Sequence, residues 1–184
     1  MLKTDVAYSR LPIRMAMVVV LVAGLVWTWV SRPVGSFTES VSAARIGAVA
    51  PDLSLQGLDG RPISLKALRG KSVVLNFWAT WCPPCRAEMA AMNQVQHDLA
   101  DQGVVVLGVN QLEDEQTVSR FMLAEGLSFP IALDQAGVAA QSYRVGALPT
   151  TYFIDRNGTI QDVVFGGPLA QALIESKVLS LLSR

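Results

Sequence analysis

The chain has 184 residues, enough for one domain with a proper core and an appendage but too few for two ordinary domains. Its 15 basic and 15 acidic side chains give a formal net charge of zero, so no global field would draw it to nucleic acid or to an anionic partner. Hydrophobic residues make up 51% of the chain, a high share for a soluble domain, which predicts that part of it lies in lipid.

An uncharged apolar run near the N-terminus is the candidate for that part. Residues 15–30 carry no charge, with three cations before them and one, Arg32, after them. A spanning helix usually needs about 17 to 25 residues and the apolar part of a cleavable signal peptide about 7 to 15, so length leaves both interpretations open. The charge difference places the N-terminus in the cytoplasm, and Trp27 and Trp29 suit a membrane interface, which favours an anchor. Either interpretation sends the rest of the chain outside the cytoplasm, where disulfides persist.

The chain therefore divides into four predicted parts. They are a cytoplasmic tail (1–14), a transmembrane signal anchor (15–31), a flexible linker (32–45) and a folded domain (46–184). The linker is assigned because its residues are rich in Ser, Gly and Ala and show no apolar period. One catalytic module on a membrane tether is the organisation that these patterns predict.

The folded domain begins with two short segments, 52–56 and 63–65, around a turn, which predict an N-terminal β-hairpin. Residues 72–78 form a nearly continuous β-branched and aromatic run, typical of a strand buried on both faces of a sheet. A helix is predicted from Pro83 to about Ala100. The later elements are predicted as strand 104–109, helix 114–125, strand 131–133, helix 135–142, strand 150–155, strand 159–165 and helix 168–182. A β-α-β crossover followed by a hairpin and a closing helix predicts an α/β fold with a mixed sheet between helices.

The segment Trp-Cys-Pro-Pro-Cys, residues 81–85, joins the predicted buried strand to the helix that follows it. Cys82 comes just before the first helical turn, where free backbone N–H groups and the helix dipole favour a thiolate, so it is the predicted nucleophile. Cys85 lies one turn later on the same side and can attack a mixed disulfide at Cys82, so it is the predicted resolving cysteine. Pro83 suits the first helical position, where a missing N–H costs nothing, and Pro84 stiffens the turn.

Three other uses of the cysteine pair are weaker. A purely structural disulfide would close so small a loop that it would remove little chain entropy. A zinc site would need four ligands, and two cysteines with His97 cannot supply them, so His97 is interpreted as a helix-surface residue. Covalent haem attachment needs a histidine directly after the second cysteine, where this chain has Arg86. The pattern therefore favours a redox-active pair.

Three segments carry a family resemblance: VVLNFWATWCPPC (73–85), GVN (108–110) and GALPTTYFIDRNG (146–158). On these segments the sequence resembles the thioredoxin superfamily, and within it the membrane-anchored branch that includes the TlpA, ResA and CcmG (DsbE) proteins, in the wider redoxin or AhpC/TSA-like group. The resemblance covers about residues 46–184. It implies a thioredoxin-like fold, a redox-active disulfide between Cys82 and Cys85, and no cofactor or metal.

The resemblance also implies a wall of the site that faces the cysteines. Pro149 matches the family's cis-proline, which precedes the strand beside the cysteine loop, and a cis X–Pro bond is uncommon enough to imply a specific use. Backbone groups at Leu148 are then expected to pair with an extended substrate segment. Trp81 is expected to lie over the active-site surface. The alternative for Pro149 alone is an ordinary loop proline that enters a strand.

Two positions distinguish the anchored branch from cytoplasmic thioredoxins, which carry a buried Asp six residues before the first cysteine. Asn76 stands there and cannot titrate. Glu88 lies three residues after Cys85 on the same helical face, and the anchored branch uses a glutamate there as its acid–base group. Glu88 is therefore the candidate proton relay. A solvated first-turn acid that favours the helix dipole is the alternative.

The resemblance implies an extracytoplasmic thiol-disulfide oxidoreductase on the periplasmic side of a bacterial cytoplasmic membrane. The expected reaction is reduction of selected disulfides, with electrons from a membrane dithiol donor and with apocytochrome c or a copper-site assembly protein as substrate. A disulfide-introducing oxidant is the alternative within redox enzymes. A thiol peroxidase would need Thr or Ser three residues before its cysteine, where Ala79 precedes Cys82, and a non-catalytic binding module is the third alternative.

Overall fold

A computed structural model describes residues 20–23, 27 and 44–183 of the chain. The predicted cytoplasmic tail (1–14) lies outside the described residues, as do most of the predicted anchor (15–31) and of the predicted linker (32–45). Among the residues that are described, no helix is both long enough and apolar enough to cross a membrane. The anchor and the domain boundaries therefore stay predictions.

The chain divides into two units, Met1–Glu39 and Ser40–Arg184, and the strands and helices given below belong to the second. Within residues 44–183 the strands are β1 (Ser54–Gly57), β2 (Pro62–Ser64), β3 (Ser72–Trp78), β4 (Val104–Gln111), β5 (Ile131–Asp134), β6 (Thr150–Ile154) and β7 (Ile160–Phe165). The helices of the same range are α1 (Pro83–Leu99), α2 (Glu115–Ala124), α3 (Val138–Ser142) and α4 (Gln171–Leu182), with 3-10 turns at Lys66–Leu68 and Ala100–Gln102.

In this described range the seven strands form one mixed sheet in the order β2-β1-β5-β4-β3-β6-β7. Strand β3 runs parallel to β4 and antiparallel to β6, and β4 runs parallel to β5. The β1–β2 pair is the predicted N-terminal hairpin, and β6–β7 is the predicted second hairpin. Every residue of β3 and β4 is buried, because both strands lie inside the sheet and are covered on both faces.

Two apolar clusters cover the two faces of the sheet, and β3 contributes to both because successive side chains of a strand point in opposite directions. Val74 and Trp78 belong to the cluster that packs under α1, α2 and α4. Leu75 and Phe77 belong to the cluster that contains Tyr143, directly after α3. The predicted α/β fold, a mixed sheet between helices, is confirmed for the folded domain.

Two predicted helix starts were wrong. The helix predicted from 135 begins at Val138, because the Asp134 carboxylate, four residues before that start, accepts hydrogen bonds from Ala139 N–H and Ala140 N–H and so caps the first turn. The helix predicted from 168 begins at Gln171, because Leu169 N–H donates to a side chain of another element. In both places the backbone bonds to a partner that helical periodicity does not reveal.

Candidate redox site

The cysteine pair lies where the buried strand β3 gives way to α1, the longest helix in the described part of the chain. Cys82 is the N-cap residue, with extended backbone angles (φ −89°, ψ 107°), and its Sγ accepts a hydrogen bond from Cys85 N–H at 3.3 Å. Pro83 and Pro84 occupy the first two helical positions, which need no amide donor. The Cys82 sulfur is therefore held at the positive end of the helix dipole, which stabilises a thiolate.

Cys82 and Cys85 form a disulfide, with an S–S distance of 2.09 Å and a Cα–Cα distance of 5.3 Å. The two sulfurs differ in their access to a partner. Cys82 is 4% exposed and lines a surface cleft, whereas Cys85 is fully buried beneath it. An incoming sulfur can therefore reach Cys82 alone.

The cleft beside Cys82 has a volume of about 450 Å³ and is largely apolar. Trp81 stands on its surface with 67% of its area exposed, as the resemblance implied. The loop before β6 supplies another part of the lining, including Leu148. The lining residues are Trp81, Cys82, Pro83, Pro84, Gln111, Leu112, Val145, Gly146, Ala147 and Leu148.

Antiparallel pairing brings the predicted proline loop to the cysteines. Because Thr150 pairs with Phe77 in β3, the residues just before Thr150 lie beside the loop that leads to Cys82. The Leu148–Pro149 peptide bond is cis. Pro149 C=O accepts a hydrogen bond from Gly166 N–H at 2.8 Å, which ties this loop to the end of β7.

Glu88 is fully buried beneath the site, so the alternative of a solvated surface acid was wrong. Its Oε1 accepts a hydrogen bond from Asn76 Nδ2 at 2.8 Å, and its Oε2 accepts one from Leu169 N–H at 2.8 Å. Burial raises the pKa of Glu88 above its ordinary value near 4.5, although both hydrogen bonds lower it and partly offset the effect. A buried carboxyl with a raised pKa, one turn after Cys85, is suited to accept and return a proton.

The Glu88 carboxylate also lies next to the cis-proline, which sequence reasoning did not foresee. A Cβ added at Gly167 would stand 2.6 Å from Glu88 Oε2 and 2.7 Å from Pro149 Cγ. Only a glycine fits between them. The Gly167–Pro168 bond is a second cis peptide, and its only sequence signal is the dipeptide itself.

A second carboxylate contact near the cysteines, made by the partly buried Glu113, was also missed. Glu113 Oε2 accepts hydrogen bonds from Thr80 N–H at 2.8 Å and from Asn110 Nδ2 at 2.7 Å, and Oε1 accepts one from the Thr80 hydroxyl. These bonds join the loop after β4 to the loop just before the cysteines. In the sequence Glu113 stands in an acidic run with Asp114 and Glu115. Such a run is typical of a helix start, so it gives no indication that Glu113 bonds to Thr80.

His97 takes the helix-surface place that the sequence assigned to it, and Arg86 is another exposed side chain of α1. His97 is exposed on α1 beside Asp98, at 3.1 Å between Nδ1 and Oδ1. The Arg86 guanidinium pairs with Glu125 at 3.2 Å and lies 5.5 Å from the centre of the Phe121 ring. Both side chains are therefore engaged on the outer face of α1.

Comparison with known proteins agrees with this geometry. Residues 46–163 match the AhpC/TSA family. The chain is 41% identical over 158 residues to the thiol-disulfide oxidoreductase ResA of Geobacillus kaustophilus, an alignment that covers 86% of this chain and 88% of that protein. A thiol:disulfide interchange protein of the thioredoxin family from Chlorobium tepidum superposes with a TM-score of 0.68 at 31% identity, covering 76% of this chain and 99% of that one.

A second solved structure is a secreted Mycobacterium tuberculosis disulfide oxidoreductase homologous to E. coli DsbE. It superposes with a TM-score of 0.63 at 30% identity and covers 70% of this chain and 96% of that one. The matched family, the thioredoxin-like fold and the paired cysteines at the start of α1 agree with one another. The chain belongs to the AhpC/TSA family and is a thiol-disulfide oxidoreductase of the ResA and DsbE type.

Proposed function

We propose that this protein reduces selected disulfides outside the cytoplasm through Cys82 and Cys85. The observation that carries the proposal is the unequal access of the two sulfurs: Cys82 lines an apolar cleft beside the cis-proline, and Cys85 is buried. This is the arrangement that an attacking and a resolving thiol require. The proposed donor is a membrane dithiol, and the proposed substrate is apocytochrome c or a copper-site assembly protein.

The proposed reaction proceeds in two exchanges. In the reduced enzyme the Cys82 thiolate attacks one sulfur of the substrate disulfide, a mixed disulfide forms, and the other substrate sulfur leaves as a thiolate. Glu88 then takes the proton of the Cys85 thiol, and the Cys85 sulfur attacks Cys82. The substrate's second sulfur leaves, and the enzyme disulfide forms again. Two electrons pass to the substrate, and the membrane donor restores both thiols.

The surroundings of Cys85 support the reducing direction. Glu88 and Cys85 are three residues apart on one helix, so their side chains are neighbours. At pH values above its raised pKa, the Glu88 carboxylate disfavours a second negative charge on the dithiol and so favours the disulfide form of the enzyme. Strong oxidants have the opposite property, because their reduced form is stabilised. A protein that prefers to be oxidised donates electrons.

Substrate binding is proposed to use backbone pairing at Leu148. Within residues 44–183 neither its N–H nor its C=O has a hydrogen-bond partner, although it lies only two residues before β6. An extended substrate segment can pair with these groups as an added strand does. Leu148 also lines the cleft, so a paired segment would run past Cys82.

The reduction potential tests the direction of electron flow. We expect a value near that of thioredoxin, about −270 mV, measured by equilibration with dithiothreitol redox buffers. A value near that of the oxidant DsbA, about −120 mV, would instead support the disulfide-introducing alternative. If the enzyme consumes hydrogen peroxide and the Cys82→Ser variant does not, the thiol peroxidase alternative would be supported.

A trapped complex tests the partners and the binding-module alternative. A Cys85→Ala variant cannot resolve the mixed disulfide, so we expect it to hold its substrate covalently, while Cys82→Ser and the double variant hold nothing.

Two further outcomes would contradict parts of the proposal. If alkaline carbonate washes the full-length chain off the membrane, the chain has no transmembrane anchor. Insulin reduction that survives in Cys82→Ser would contradict catalysis by this pair.

A further inference from the structure

Leu112, on the rim of the active-site cleft, has a backbone conformation that leucine rarely adopts. It directly follows β4, its φ is +60°, and 69% of its area is exposed. In the left-handed region the Cβ of an ordinary side chain crowds the backbone, so glycine or asparagine is the residue expected there. A large apolar side chain that is both strained and exposed contributes nothing to the core.

The surrounding loop holds Leu112 in this conformation from both sides. Leu112 N–H donates to Asp134 C=O at 3.2 Å, and the preceding Gln111 Nε2 donates to Asp134 Oδ2 at 3.1 Å. On the other side the Glu113 carboxylate is fixed by its bonds to Thr80. Strained residues that are held in place in this way cluster at ligand-binding sites.

The chemistry of the cleft indicates what Leu112 meets. None of the described residues that line the cleft has a charged side chain, and Gln111 supplies the only amide. Trp81, the other large exposed side chain of the lining, lies next to Cys82. Leu112 and Trp81 therefore offer an apolar surface to whatever approaches the sulfur.

We infer that Leu112 is a specificity-determining residue, which selects extended disulfide substrates that carry a large apolar side chain next to the reacting cysteine. The inference rests on the proposed attack of Cys82 on a substrate disulfide. An apolar side chain loses water against Leu112 and Trp81, whereas a charged one would lose its hydration in a cleft with no opposite charge.

A peptide series tests the inference. The peptides have the sequence Ala-Ala-X-Cys-Ala, with X as Leu, Ala or Glu, and each cysteine is joined to the same chromogenic arylthiol. Attack by the reduced full-length enzyme releases that arylthiol, so the second-order rate constants differ only through X. For the wild type we expect the Leu peptide to react on the order of tenfold faster than the Ala peptide, and the Glu peptide slowest.

Two substitutions at Leu112 separate the side chain from the backbone strain. Leu112→Asn and Leu112→Gly both accept a positive φ, and in both we expect the Leu-to-Ala ratio to fall below about threefold. Leu123→Asn, at an exposed leucine of α2 outside the cleft lining, is the matched control and should keep the wild-type ratio. A Leu112→Asn enzyme that keeps the tenfold ratio would overturn the inference.

The outcomes also separate this inference from the proposed function. A wild type that reacts at one rate with all three peptides would overturn the role of Leu112 and leave attack by Cys82 intact. A wild type that reacts with no peptide, or a Cys82→Ser variant that reacts as fast as the wild type, would contradict the proposed function itself.

Discussion

Replacing Glu88 by glutamine removes a titrating group from beneath the cysteines while keeping the shape of the side chain. The carboxylate accepts one hydrogen bond from Leu169 N–H and one from Asn76 Nδ2. The new amide can accept from only one of them, and its NH₂ group needs an acceptor. Among the described residues Asn76 Oδ1 has no hydrogen-bond partner, so a half-turn of the Asn76 amide supplies that acceptor.

This rearrangement sets the expected magnitudes. After the half-turn the Thr151 hydroxyl can donate to the turned amide, but Asn76 Nδ2 takes the buried position where Oδ1 had no partner, so its N–H groups lose both acceptors. The free energy of unfolding should therefore fall by about 1 to 3 kcal/mol, the cost of a buried donor left without a partner. The attack of Cys85 loses its base in a region closed to water, and we expect its rate to fall about 100-fold, the lower end for general acid–base catalysis.

A chromogenic aromatic disulfide separates the two sulfur attacks in one stopped-flow trace. The reduced enzyme releases one arylthiol when Cys82 attacks and a second when Cys85 resolves the mixed disulfide. Glu88→Gln should slow the second phase about 100-fold and the first less than about threefold. The wild-type second phase should also accelerate as the pH rises through the raised pKa of Glu88, and the variant should lack that rise.

Glu115→Gln is the matched control, because Glu115 is an exposed acid in the first turn of α2. It should leave both phases unchanged. Glu88 is not the proton relay if Glu88→Gln slows the second phase less than about threefold, or if both phases slow equally. The same conclusion follows if the loss is equal at every pH.

Three further predictions concern stability and packing. Because folded Glu88 keeps its proton at pH values where the unfolded chain, with a pKa near 4.5, has lost it, the wild-type free energy of unfolding should fall as pH rises above about 4.5. Urea titrations of Glu88→Gln should lack that decline, and an identical pH profile would refute it. Gly167→Ala should cost about 1 to 3 kcal/mol and slow the second phase, because its Cβ would overlap the Glu88 carboxylate. Gly146→Ala, whose Cβ meets no atom within 4 Å, should cost little, and equal losses would refute the overlap. Tyr143→Phe should cost about 1 to 2 kcal/mol in urea, because a buried carbonyl loses its 2.6 Å donor, and a neutral result would mean that water replaces it.

The features that short sequence patterns encode were predicted closely. The buried run of β3 was predicted with its observed ends, 72–78, and the helix after it was predicted from its observed start, Pro83. Both follow from local signals, a β-branched run and a proline at the first helical turn. The position of Cys82 at a helix N-terminus followed directly, because it depends only on which residues are adjacent in the chain.

Features that depend on the approach of distant segments could not be predicted in this way. Nothing near Gly167 in the sequence indicates that Glu88, on another element, will lie against it. The start of α4 was misplaced for the same reason, since Leu169 N–H bonds to that carboxylate rather than within its own helix. Leu112 was also overlooked, because a leucine in a loop gives no sign of a positive φ. These contacts are properties of the folded chain and have no local pattern.

The hairpin at the end of the sheet has a consequence for aggregation. Strand β5 consists of four fully buried residues, and its outer edge is covered by β1 through the pairs Gln56–Leu133 and Gly57–Ala132. Uncovered, such an apolar edge would pair with strands of other molecules. The edge that the described sheet presents instead on this side is β2, which has three residues and begins with Pro62, a residue without an amide donor. The hairpin thus hinders edge-to-edge pairing of the sheet with the sheets of other molecules.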